Sequence, residues 1–427
     1  MDDNSSEEEN IIGNVFFEKY KCIKKLGEGS FGKIYEAEYN GEHFALKFEN
    51  KKNNKNLLEL ESVFMNYLSG PNIPEVKAFG TCRNYNILVM QLMGQSLEDL
   101  IRKRKNFSIK TVCLLGYQII RVLEYIHNKH IIHRDIKPNN FVIGLKNLSK
   151  FLYLLDFGLA KKYRSSETLE HNPLINNKKL VGTARYASIN AMKGFEQSRR
   201  DDLEAVGYIL IYFLKGKLPW QNIHGKSKEE IYQKILKRKI ETSSFELCIG
   251  FPKEFEKFVE YTRKLKYEEL PNYGKLRRYF IDVVEEKKQD FDYIYDWSTS
   301  EERKLRKKEY LEGVKEMKKK KNKSLDKYLS SKYRKQIKHY ESELNDEEIE
   351  DYNSNFEEEN SQNYKYKEFK GNHKLGTKED SLDIYNKNDN KNSDNRTLLN
   401  SKEIEEGFQK ENEEFVVLRH VKYFNTN

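Results

Sequence analysis

Cysteine is scarce in this sequence. The four residues, Cys22, Cys82, Cys113 and Cys248, are widely scattered in a chain of 427 and form no CxxC pair. That pattern speaks against a zinc site or a disulfide framework, and it suits a reducing cytoplasmic or nuclear compartment. Long apolar runs are missing too. No stretch approaches the roughly 18 uncharged apolar residues of a membrane-spanning helix, so no membrane span is expected. Residues 1–10 are acidic and carry no apolar run of the kind a secretory signal needs. Hydrophobic residues make up only 37 % of the chain and charged residues 34 %. An ordinary domain is about 45–50 % apolar, so a single packed body of the whole length is excluded. A core plus a polar tail remains.

The polarity is unevenly distributed. The first 297 residues are rich in Leu, Ile, Val, Phe and Tyr, and the remainder is mostly Lys, Glu, Asn, Asp and Ser. The expected organisation is an acidic, disordered N-terminus (1–15) and a folded domain (16–297). A basic, partly helical segment (298–340) and an acidic, Asn-rich low-complexity tail (341–427) follow. The tail closes on a short apolar island over residues 414–424, which either docks on the core or is a chance cluster. Residues 303–338 hold 16 Lys or Arg against 4 Asp or Glu, and residues 339–360 hold 10 acidic residues and no Lys or Arg. These blocks nearly cancel, so the net charge of +9 is not a nucleic-acid signal. The basic run reads first as a solvated segment, with nuclear targeting, nucleic acid or an anionic membrane as rivals.

Within the folded part, residues 20–48 alternate around glycines as a β-hairpin would. Leu57, Leu60, Phe64 and Leu68 recur at helical spacing, and residues 86–90 read as a short buried strand. Val112, Leu115, Ile119, Val122 and Ile126 form one stripe of a long helix. Residues 203–214 are apolar on nearly all sides, as a central buried helix is. The expected fold class is α+β: a small β-rich lobe followed by a larger helical lobe.

The chemistry-bearing residues follow in order. Gly27, Gly29 and Gly32, with Ile34 just beyond, form a GxGxxG between two strand patterns. That context reads as a hairpin flap over nucleotide phosphates, since glycines let backbone N–H groups approach phosphate oxygens closely. Ala45 leaves room for a flat base, and Lys47 on the same strand reaches phosphates. Glu61 in the next helix would hold that amine, with Glu59 as the rival partner. The run His133-Arg134-Asp135-Ile136-Lys137-Pro138-Asn139-Asn140 follows the long helix. In it, Asp135 would accept the proton of an attacking hydroxyl, Lys137 would offset charge at the γ-phosphate, and Asn140 would offer an oxygen to Mg2+. Asp156, which opens Asp156-Phe157-Gly158, would be the second metal ligand.

All five elements in this order make the signature of a protein kinase. Several segments then resemble the casein kinase 1 family: Leu97–Leu100, Asp156–Arg164, Gly182–Asn190 and Glu196–Glu204. In this chain Ser188-Ile189-Asn190 stands where most kinases have Ala-Pro-Glu. The resemblance runs from about Tyr20 to Trp297. It implies a serine/threonine kinase that uses ATP and Mg2+, with Met90 as gatekeeper, Gln91 and Met93 offering backbone groups to adenine, and Val142 beneath the base. It also implies that Asp202 holds the catalytic loop, and that protein substrates are acidic or already phosphorylated, their anion read by Arg134, Lys161, Lys178 and Arg185. The sequence departs from the family at Gln91, usually Glu, and at Asn222 and Ile231, which replace a glycine and a lysine of the anion site. That weakens one phosphate pocket and favours acidic direction over strict priming. The family needs no activation-loop phosphorylation. A monomer, constitutive activity and no requirement for nucleic acid are expected, with activity kept or raised by truncation after about Trp297. The competing readings are a pseudokinase scaffold and a nucleic-acid-binding protein. The first is disfavoured because Lys47, Glu61, Asp135, Asn140 and Asp156 are all present. The second is disfavoured because the core carries no recognisable binding module.

Overall fold

The computed structural model describes residues 11–29, 32–53, 56–312 and 315. The expectations for residues 1–10, most of the basic segment, the acidic tail and the apolar island lie outside these residues. The chain divides into two units, split between Thr299 and Ser300. Of the second unit, residues 300–312 are described, and they form a helix.

The first unit opens with strands β1 (Val15–Phe16), β2 (Tyr20–Gly29), β3 (Gly32–Tyr39) and β4 (Glu42–Asn50), followed by helix α1 (Leu57–Tyr67) and strands β5 (Val76–Cys82) and β6 (Tyr85–Gln91). The six strands make one sheet in the order β1-β2-β3-β4-β6-β5, all paired antiparallel. Phe16, Tyr20, Tyr35, Phe44 and Phe48 pack edge to face on one side of this sheet. Burying such a side chain contributes about 1.5–3 kcal/mol. Ile11 joins the cluster, and Gly13 N–H donates to the Cys22 carbonyl. The N-terminal segment is therefore packed from residue 11, not loose up to 15 as the acidic composition suggests. An isoleucine and an aromatic strand residue suffice to dock it on the sheet edge.

A helical part follows: α2 (Leu97–Arg104), α3 (Ile109–Asn128), the short strands β7 (Ile131–Ile132), β8 (Phe141–Ile143), β9 (Leu152–Leu154) and β10 (Lys161–Lys162), then α4 (Ile189–Met192), α5 (Arg199–Lys215), α6 (Lys228–Glu241), α7 (Ser244–Cys248), α8 (Lys253–Lys264) and α9 (Tyr273–Glu286). The stripe expected on α3 is fully buried. The Ser108 hydroxyl caps that helix by accepting from Thr111 N–H, and Ser108 is itself fixed by Asp296. Helix α5 is buried on nearly every side, as its composition predicts. Asp201 closes its capping box with Ser198. Tyr295 and Trp297 stack at 4.8 Å, and Trp297 meets Phe107, so the chain stays packed through Trp297.

The register of α1 differs from its apolar spacing. Leu58, Glu61, Phe64 and Met65 face inward, and Leu60 is 38 % exposed. A buried carboxylate displaces the expected leucine from the inner face.

Candidate active site

Strand β4 runs through the middle of the sheet and sets two groups side by side. Ala45 lies opposite Met90 of β6, and Lys47 lies between Ile34 and Leu88 in the neighbouring strands. The Lys47 amine meets the Glu61 carboxylate at 2.6 Å and Asp156 at 3.2 Å, with the Lys47 and Glu61 side chains 8 % and 2 % exposed. The partner of Lys47 is thus Glu61, the alternative the helix register selects. Burial opposes the lysine charge, but the two carboxylates outweigh it and move the amine's pKa upward. Burial pushes Glu61 up to about 7 against the pull of Lys47. For Asp156, burial raises the pKa, but Lys47, Lys137 and His133 outweigh it, so this carboxyl lies below its ordinary range.

The glycine hairpin is the turn between β2 and β3, with Gly29 opposite Gly32; Ser30 and Phe31 lie outside the described residues. Gly32 has φ +139°, and a Cβ there would fall 1.8 Å from the Phe48 carbonyl oxygen. No side chain fits, which keeps the flap tight against β4. A Cβ on Gly27 would meet nothing within 4 Å, so packing alone does not require glycine there. Met90 and Val142 are buried. At Gln91 the backbone N–H donates to the Glu75 carbonyl, and the side-chain oxygen accepts from Glu75 N–H. Met93 lies in the irregular stretch beyond β6.

The loop between β7 and β8, the catalytic loop expected from the sequence, is suspended from α5. Asp202 accepts from the backbone N–H groups of His133 (2.8 Å) and Arg134 (2.9 Å), and from His127 Nε2 (3.0 Å). Arg134 has φ 67°, a strained conformation for a residue with a Cβ. The Asp202 carboxylate is what holds it. Asp135 is buried and accepts from Lys137 Nζ at 2.5 Å and Thr183 Oγ1 at 2.8 Å. The Asn140 amide nitrogen donates to the Asp135 carbonyl, which leaves the amide oxygen as its acceptor. His133 Nε2 donates to the Leu155 carbonyl, and its ring packs on Phe157. The loop and the Asp156 turn are thereby tied together.

Two of the four basic residues singled out in the sequence pair with one carboxylate, and a third acts on it electrostatically. Glu196 pairs with Lys161 at 2.8 Å and Lys178 at 3.6 Å, and it interacts electrostatically with Arg134. Arg134 Nε donates to the Leu159 carbonyl. Arg185 is exposed, its carbonyl held by Trp220 Nε1. Asn222 has φ 59°, a conformation that favours glycine and that asparagine tolerates. Ile231 packs against the core.

Roles for Thr183, Gly182 and Glu196 escaped the sequence reading, although all three stand in the segments it singled out. A Cβ on Gly182 would fall 2.3 Å from the Arg134 carbonyl oxygen. The segment after Asp156 therefore presses directly on the catalytic loop.

The protein kinase domain family model matches residues 20–271. The chain belongs to the protein kinases, enzymes that transfer a phosphoryl group from ATP to proteins. Its fold agrees: a β-rich N-terminal part and a helical C-terminal part. No helix among the described residues is long and apolar enough to cross a membrane.

Proposed function

We propose that this kinase is a serine/threonine enzyme of the casein kinase 1 type, transferring the γ-phosphoryl group of ATP to hydroxyls in acidic or phosphorylated protein contexts. The observation that carries the reading is Asp135, a buried carboxylate gripped by Lys137 on one oxygen and by Thr183 on the other. A substrate hydroxyl attacks the γ-phosphorus, its proton passes to the Asp135 carboxylate, and the bond to the bridging oxygen of ADP breaks. Lys137 offsets charge at the transferring group. Lys47, oriented by Glu61, holds the α- and β-phosphates beneath the flap of Gly27, Gly29 and Gly32. The base lies between Ile34, Ala45, Met90 and Val142, against the backbone of Gln91 and Met93.

Among the described residues no group of three His, Cys, Asp or Glu is placed to hold a metal ion. The Asp156 carboxylate and the Asn140 amide oxygen would hold Mg2+, a cation bound in such sites mainly through phosphates. When bound, Mg2+ neutralises charge on the phosphates. Arg134, Lys161, Lys178 and Arg185 supply the positive field for an acidic substrate. The proposal includes a monomeric enzyme in the cytoplasm or nucleus.

A degenerate peptide library assayed with wild type and Asp156→Asn tests the reading. Phosphate is expected on Ser and Thr, enriched beside Asp, Glu or phosphoserine, and absent with the variant. Incorporation on Tyr, or no context preference, would overturn the subclass. No incorporation above the variant would overturn the catalytic reading.

A further inference from the structure

Many kinases order the segment after Asp-Phe-Gly with a phosphate group, which draws basic residues of the catalytic loop and the segment together. Here a carboxylate stands where those elements meet. Glu196 is 6 % exposed. Its Lys161 partner lies on β10, which pairs with β7 at the entry to the catalytic loop. Its Lys178 partner lies on the following segment, whose backbone is clamped to the Glu196 stretch by Lys178 N–H to the Gly194 carbonyl and Glu196 N–H to the Ile175 carbonyl. Arg134, next to the base, is the third cation in its field. Lys161 and Lys178 are 38 % and 47 % exposed, so Glu196 forms the floor of the cluster and the lysines face outward.

We propose that Glu196 is a positioning residue, a built-in anion that holds Arg134, Lys161 and Lys178 together as an activation-segment phosphate would, and so aligns Asp135 without any modification. Three cations and one internal carboxylate leave a residual charge of about +2. That amount suits an acidic substrate and supplies the lysines ready-oriented. The inference rests on the phosphotransfer reading.

The test compares full-length wild type, Glu196→Gln and Glu196→Ala in steady-state assays on a serine peptide with acidic flanks, with and without millimolar inorganic phosphate as a replacement anion. Glu196→Gln is expected to lower kcat about tenfold or more, the effect of losing one charge-assisted contact, with KM for ATP unchanged. Inorganic phosphate is expected to restore part of kcat in Glu196→Ala, where the side chain leaves room. Wild type, whose cluster already holds an anion, gains nothing. Equal thermal melting of Glu196→Gln and wild type shows that the loss is local. A Glu196→Gln enzyme with wild-type kcat overturns the inference, as does a loss in Glu196→Ala that phosphate leaves untouched. A wild-type chain that transfers no phosphate instead overturns the reading beneath it.

Discussion

Lys47 and Glu61 meet at 2.6 Å in a setting almost closed to water, with Asp156 3.2 Å from the same amine. A sheet strand, a helix and the Asp-Phe-Gly turn are thus joined through one cation.

That junction sets a pH dependence. Burial pushes the Glu61 carboxyl up to about 7, so the ion pair is complete only above that value. As pH falls through it, the carboxyl takes up a proton and the amine loses its orienting charge. We expect kcat/KM to decline on the acid side with an apparent pKa near 7, and Glu61→Gln to show a lower, flatter profile there. A pH–rate series for both proteins checks this, and an unchanged acid limb in the variant would refute it. Lys47→Met should lower kcat/KM about a hundredfold or more, since a positioned electrostatic contact is commonly worth about 2.7–4 kcal/mol in the transition state. It also leaves a carboxylate buried without its partner, a change that costs about 3–5 kcal/mol of stability when the charge is retained. Melting temperature is the second readout.

The β-rich and helical parts, the long helices and the order of the candidate site residues were legible in the sequence because each depends on local spacing. The α3 stripe is a 3.6-residue pattern that buries as written. The α1 register was not legible in the same way. Its inner face accepts Glu61 and turns Leu60 outward, because a lysine from β4, 14 residues upstream, satisfies the carboxylate there. Likewise, nothing local marks Glu196 or Thr183. Their meaning comes from Lys161, Lys178 and Asp135, which only the tertiary fold brings near. Ile11 docked for the converse reason: the acidic run ends at Glu9, and the apolar side chain beyond it finds an aromatic cluster already built.

Asp202 and His127 give a second pH effect, this time on stability. Burial holds the His127 pKa below its usual value, with Asp202 opposing. The unfolded chain takes up a proton on this ring below about pH 6.5, and the folded chain resists it. The stability this contributes is therefore present above that pH and lost as pH falls from it toward the lowered folded value. Denaturant titrations of wild type and His127→Gln at pH 7.5 and 5.5 isolate this part: the stability advantage of wild type over the variant should be smaller at the lower pH. Asp202→Asn would turn an amide N–H toward a backbone N–H of His133 or Arg134. An unsatisfied buried donor costs about 1–3 kcal/mol, and the strained Arg134 backbone would relax, so kcat should fall with stability. A variant with wild-type kcat and midpoint would contradict this account of the loop.

Substitution of Gly182 should separate the proposed positioning of Asp135 from binding of the nucleotide. Its φ of +95° and the 2.3 Å approach to the Arg134 carbonyl leave no place for a methyl group. Gly182→Ala must displace either the segment bearing Thr183 or the catalytic loop. Loss of the Thr183 bond to Asp135 should lower kcat about tenfold, a barrier change of about 1.4 kcal/mol. KM for ATP should hold, because Lys47, Glu61 and the hairpin lie elsewhere. Equal losses in kcat and ATP affinity would show that the two halves of the site are not separable in this way.

The basic residues around Glu196 offer the sharpest test of the proposed preference for acidic substrates. If Lys161 and Lys178 face outward to meet an acidic substrate, Lys161→Gln and Lys178→Gln should each raise KM for an acidic peptide several-fold. An exposed charge pair is worth about 0.2–1 kcal/mol, and the two together should approach tenfold. KM for a neutral peptide should stay close to wild type. The effect should shrink as salt rises, because a Debye length of about 8 Å at physiological ionic strength shortens further at higher concentration. Measuring both peptides at 50 and 300 mM salt separates a field effect from a packing defect. A packing defect would weaken the acidic and neutral substrates alike and would not respond to salt.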